Sequence, residues 1–108
     1  MAVVQASLTW PGSMVDVLQL FVEPTPTLWG AEFVTDAVTI FRELDQREDP
    51  TPRIAGLEIV GFLAFDDWSS LPKFPLLWQL AGREPLPLDD LLARVQQELR
   101  HTIPAKTR

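Results

Sequence analysis

Residues 14–22 read MVDVLQLFV, and no other stretch limits the possible folds as much. In a strand, successive side chains point to opposite faces. One set is Met14, Asp16, Leu18, Leu20 and Val22; the other is Val15, Val17, Gln19 and Phe21. Both sets are largely apolar, so this strand is expected to be central in a sheet or covered on each side. Val3 to Trp10 is a second β-branched, apolar run. It stops at Pro11-Gly12, and Pro11-Gly12-Ser13 predicts an antiparallel hairpin between the two.

Glu23-Pro24-Thr25-Pro26-Thr27 cannot continue a central strand, because two prolines remove two ladder donors. Leu28–Val34 and Ala37–Glu43 then predict a second hairpin around Thr35-Asp36. The charged stretch Leu44 to Pro52 reads as a loop, and Arg53–Val60 (RIAGLEIV) as the next strand. Glu58, the one acidic residue of that run, is expected to face solvent or Arg42 on a neighbouring strand. Gly61 permits a bend before Phe62–Phe65. Asp66 to Gly82 holds Trp68, Pro72, Phe74, Pro75 and Trp78 without a clear period. It reads as an irregular covering segment with a short helical turn near Ser69–Leu71. Leu88, Leu91, Leu92, Val95, Leu99 and Ile103 recur at helical spacing, predicting an amphipathic helix that Pro104 ends.

These elements predict an α+β fold in a single domain, 1–108. Residues 1–65 form an antiparallel β-meander of about five strands, 66–86 the irregular Trp/Pro-rich segment, 87–103 the C-terminal helix and 104–108 a tail.

Three of the strands carry a family-like pattern: Asp16-Val17-Leu18-Gln19-Leu20-Phe21, then Ala37-Val38-Thr39-Ile40-Phe41-Arg42, then Ile54-Ala55-Gly56-Leu57-Glu58-Ile59. Over roughly residues 14–61 the chain resembles the small bacterial domain of unknown function 2283, with Gly56-Leu57-Glu58-Ile59 the best single match. It departs from that pattern at Asp45 to Pro52, a longer turn without glycine. The resemblance implies a β-meander without assigned catalytic residues; similar small domains are sometimes regarded as antitoxin-like partners.

Composition excludes several chemistries. With no cysteine, the chain can form no disulfide, thiolate metal site or cysteine nucleophile. Its one histidine, His101, falls near the helix end, where a cation complements the dipole. Asp66-Asp67 is a carboxylate pair, but neighbours on an extended chain point apart, and a turn or cap is the expected role. Glu48-Asp49 reads as a solvated loop and Asp89-Asp90 as a helix first turn. Ser69-Ser70 lacks a nucleophile-elbow context, and the five glycines stand singly, so no phosphate-cradling loop is present. No catalytic residue, cofactor or metal ligand is assigned. A net charge of −6 would repel a phosphate backbone, so nucleic acid is not an expected partner. No apolar run reaches membrane-spanning length and no secretory signal opens the sequence, so a soluble cytoplasmic protein is expected.

The remaining feature is tryptophan. Trp68 and Trp78 share the Pro-punctuated segment with Phe74 and Leu77, and these four are the candidate interaction surface. One helix cannot cover both apolar faces of a five-stranded sheet. A non-enzymatic protein-interaction module is therefore expected, as a homodimer or with another protein, and the Val3–Trp10 strand could pair across the two-fold axis. The alternative is a small-molecule or cation-binding domain, or a weak hydrolase, built on acidic residues.

Overall fold

The computed structural model describes residues 1–102. Strands β1 (Ala2–Thr9) and β2 (Val17–Val22) form the first hairpin, with Ser7 opposite Phe21. The second strand is shorter than its apolar run, because residues 13–15 wind into a 3₁₀ turn. Strands β3 (Trp29–Phe33) and β4 (Val38–Leu44) form the second hairpin. Thr35 Oγ1 closes its turn by accepting the Ala37 and Val38 N–H groups at 3.1 and 3.0 Å. Strand β5 (Pro50–Val60) starts earlier than the sequence suggests. Asp45 Oδ1 accepts the Arg47 and Asp49 N–H groups, tightening what reads as a long loop into a turn. Within β5, β2 pairs only with residues 56–60, so Pro50 and Pro52 sit where β5 has β4 as its sole neighbour and a missing donor is tolerated.

The α+β class holds, with a correction to the topology. The sheet has six strands in the order β3-β4-β5-β2-β1-β6, so β2 adjoins β5 rather than β3, and the arrangement is not a sequential meander. The sixth strand, β6 (Leu76–Leu80), lies inside the segment that reads as irregular. It pairs parallel to β1, with Trp78 opposite Val4, while the other pairings are antiparallel. Prolines at 72 and 75 mask this five-residue strand in the sequence. β1 is consequently an interior strand and cannot be the edge that pairs across a two-fold axis. The turn near Ser69 is present as a 3₁₀ helix over Trp68–Ser70.

Helix α1 (Leu88–Thr102) crosses one face of the sheet. Pro87 precedes its first residue, and the Pro87 carbonyl accepts the Leu91 N–H at 2.9 Å. Leu88, Leu91, Leu92 and Val95 are buried and Leu99 partly so, as the stripe predicts; Ile103, Pro104 and the tail lie outside the described residues. They pack in one core with Leu18, Leu20, Val38, Ile40, Leu57 and Ile59 from the sheet.

Gln96 is a buried polar residue on that helix, 4% exposed. Its Nε2 donates to the Phe62 and Phe65 carbonyls, each at 2.7 Å, satisfying two groups of the 3₁₀ turn over residues 62–64. Asp16 anchors the same turn from the sheet side. One carboxylate oxygen accepts the Trp10 indole N–H at 2.8 Å and the other the Leu63 N–H at 2.9 Å, while its carbonyl accepts the Gly61 N–H at 2.7 Å. Gly61 is left-handed (φ 70°), the bend that its position suggests.

Candidate functional site

Among the described residues, no helix covers the second face of the sheet. Cross-strand pairing arranges this open face in rows: Ser7–Phe21–Gly56–Phe41–Ala31, and beside it Thr9–Gln19–Glu58–Thr39–Phe33. Its β1 side is polar, with Gln5, Ser7 and Thr9. Its β3–β4 side is aromatic.

Phe21 and Phe41 flank Gly56 on the two neighbouring strands and reach toward each other across it. Their rings are parallel within 1°, with centroids 5.3 Å apart. Trp29 tilts against both, at 4.7 Å from Phe41 and 5.6 Å from Phe21. Such pairs add roughly 0.5–1.5 kcal/mol beyond the area they bury. Gly56 makes this possible, since a Cβ there would meet the Leu20 carbonyl oxygen at 2.4 Å and Phe21 Cδ1 at 2.8 Å. Phe41 is buried, but Trp29 is 41% and Phe33 82% exposed, and Val60 also stands open on this face. Exposed aromatics beside a rigid aromatic cluster are the composition of an interface core.

Polar contacts beside the cluster are few. Glu58 accepts a hydrogen bond from Gln19 Nε2 at 3.2 Å. Arg42 is not its partner: it points to the opposite face and pairs with Glu32 at 2.5 Å. Arg53 Nε lies 3.2 Å from Glu43 Oε2, an ion contact without hydrogen-bond alignment, and that buried oxygen has no hydrogen-bond partner among the described residues.

The residues singled out by sequence do not form one surface. Trp78 is fully buried in β6, its indole N–H without a partner, so it is a core residue and not part of an accessible surface. Leu77 alternates to the open face beside Val3. Phe74 packs edge-on against Trp78, with centroids 6.1 Å apart, and Trp68 does so against Phe65 at 5.0 Å. Trp68 and Phe74 line a pocket of about 250 Å³ near the start of α1. A larger, mostly apolar cavity of about 540 Å³ opens between the starts of β1, β5 and β6, with Phe74, Val4, Val22 and Ile54 in its wall.

The acidic pairs adopt local roles. Asp67 accepts the Ser69 hydroxyl at 3.1 Å, and its carbonyl accepts the Ser70 hydroxyl at 2.7 Å. Asp89 Oδ1 accepts the Asp90 N–H. His101 is exposed in the last turn of α1. Arg83 forms a bidentate pair with Glu98 at 2.6 and 2.7 Å, fastening the turn after β6 to α1. That hydrogen bonding holds the Glu98 carboxyl below its ordinary value and the Arg83 guanidinium above its own. Among the described residues, no three of His, Cys, Asp and Glu converge to hold a metal ion, and no helix is long and apolar enough to cross a membrane.

No family model, curated protein or solved structure matches the chain.

The aromatic cluster is the feature that sequence reading missed. Phe21 and Phe41 each belong to a recognisable strand, but β5 had to be placed between those strands before the two rings could be brought together. A glycine inside the apolar run RIAGLEIV is the one local signal, since a strand glycine often marks a close approach.

Proposed function

We propose that this protein is a non-enzymatic protein-interaction module whose docking surface is the β3–β4 side of the open sheet face, engaged by a second copy or by another protein. One observation carries the reading: Phe33 and Trp29 stand exposed beside the stacked Phe21–Phe41 pair, on the sheet face that no helix covers among the described residues. Aromatic side chains held by such a cluster lose little conformational freedom on binding and bury a large area. The sequence resemblance is to domains without assigned catalysis and agrees with a sheet-built module. We infer a cytoplasmic location, with which a chain free of cysteine is compatible.

The test combines light scattering across a dilution series with mass spectrometry of proteins that co-purify with the untagged chain. Phe33→Lys alters a side chain that is 82% exposed, so it should leave the melting temperature within about 2 °C of wild type. It should weaken self-association or partner recovery at least tenfold. Unchanged association in both assays would refute this surface.

A further inference from the structure

The two outer edges of the sheet differ. On β6, the Trp78 backbone N–H donates to the Leu86 carbonyl at 2.7 Å and the Trp78 carbonyl accepts the Leu86 N–H at 3.0 Å, so the middle of that edge is closed. On β3 the hydrogen-bond phase can be worked out. Leu44 N–H reaches Leu28 O at 2.9 Å and Val34 N–H reaches Val38 O at 3.0 Å, one bond at each end of an unbroken register. Bonded and non-bonded pairs alternate in an antiparallel ladder, so residues 28, 30, 32 and 34 turn their backbone groups toward β4. Trp29, Ala31 and Phe33 turn theirs outward, and among the described residues no backbone group meets them. β3 carries no proline, no lysine and no bulge against β4; Glu32 is its one charge, and that charge is paired with Arg42.

This edge is complementary to itself. Resting on the reading that the open face is the interaction surface, we propose that β3 pairs antiparallel with β3 of a second copy about a two-fold axis at Ala31, joining two six-stranded sheets into one of twelve strands. Ala31 then faces its own counterpart, and Trp29 faces Phe33 of the second copy on each side. All three pairs fall on outward-turned residues, so each can exchange two backbone hydrogen bonds. A shift by one residue would set outward groups against inward ones, and a shift by two would leave fewer pairs. On the open face, two Trp–Phe pairs flank the small alanines, extending the Phe21–Phe41–Trp29 cluster across the axis. On the helix face, Glu32 falls opposite Gly30 of the second copy, so no carboxylate confronts another, and its charge is already balanced by Arg42.

The chain contains no cysteine, so one introduced thiol reports its position without background. Counterpart Cβ atoms in a hydrogen-bonded antiparallel pair lie about 5.5 Å apart, too wide for an unstrained disulfide and within the span of a bis-methanethiosulfonate with a one-carbon bridge. With that thiol cross-linker, Ala31→Cys should give mostly covalent dimer. Glu32→Cys and Ser7→Cys, both at exposed positions, should give at least tenfold less. Ala31→Pro removes an outward N–H that no strand within the chain uses. It should weaken dimerisation at least tenfold and leave the far-ultraviolet dichroism of the monomer unchanged. Cross-linking at Ala31 no greater than at Glu32 would overturn the pairing even where light scattering shows a dimer; sensitivity of that dimer to Phe33→Lys would leave the docking face standing with another geometry. A single-chain mass up to about 100 μM would also overturn it, with co-purification then deciding whether the face serves a different protein.

Discussion

Gly56→Ala isolates the feature on which the aromatic cluster depends. In an ordinary strand this substitution stabilises, by about 0.5–1 kcal/mol, because glycine loses more backbone freedom on folding. Here the added methyl would meet the Leu20 carbonyl oxygen at 2.4 Å, Phe21 Cδ1 at 2.8 Å and Phe21 Cα at 3.1 Å. Two of those atoms are backbone in β2, which the β2–β5 ladder holds in place. Strand separation or ring displacement must follow. Overpacking of this kind costs about 1–3 kcal/mol, and loss of the Phe21–Phe41 stack adds roughly another 0.5–1.5. The clash outweighs the entropy gain, for a net loss of about 1–3 kcal/mol. In a domain of this size that lowers the melting temperature by roughly 4–12 °C. Gly30→Ala is the internal control: its methyl would lie 3.5 Å from the Leu44 side chain, an ordinary contact, and should be neutral or mildly stabilising. Thermal melts followed by near-ultraviolet dichroism and tryptophan fluorescence measure both variants, with Trp29 reporting on the cluster. A Gly56→Ala protein that melts with or above wild type would refute the packing argument, as would equal losses at both glycines.

Gln96→Leu should cost about 1–3 kcal/mol in chemical denaturation despite the gain in apolar surface, because the buried Phe65 carbonyl loses its donor, whereas Phe62 O keeps the Phe65 N–H. Leu92→Ala should cost about 2–5 kcal/mol by the same measurement, since Leu92 is fully buried on the core face of α1. Glu98, held below the ordinary carboxylate range by Arg83, contributes stability that is present above that range and lost as pH falls through the lowered value. The pair is about half exposed and its effect small, so the melting-temperature gap between wild type and Glu98→Gln should be modest at neutral pH and should close in acid.

Both hairpins and the helix were legible in the sequence because each is written in a local period closed by its own turn residues. The leucine stripe needed only its spacing, and Thr35-Asp36 needed only two flanking β-runs. β6 was not legible: LLWQL is short, follows Pro75 directly, and finds its partner in β1, some seventy residues away. Its recovery turns Trp78 from a surface candidate into core. The open aromatic face was half legible. The alternation of Phe21 and of Phe41 could be read strand by strand, while their meeting over Gly56 depends on strand order, which no local pattern encodes. Gln96 interrupts nothing in the stripe, and only the carbonyls of residues 62 and 65 explain why glutamine occupies a buried position.

Residues 61–65 are fastened on two sides at once, to Asp16 at the start of β2 and to Gln96 and Arg100 on α1. Lifting the helix therefore strips donors from the carbonyls of Phe62, Leu63 and Phe65, and freeing Asp16 loosens the turn on which the helix rests. Sheet and helix are in this way joined into one opening unit, and partial detachment of the C-terminal segment is disfavoured. In hydrogen exchange, the Gly61 and Leu63 amides, though they sit in a turn at the molecular edge, should exchange at the rate of the buried β5 core rather than at that of neighbouring loops.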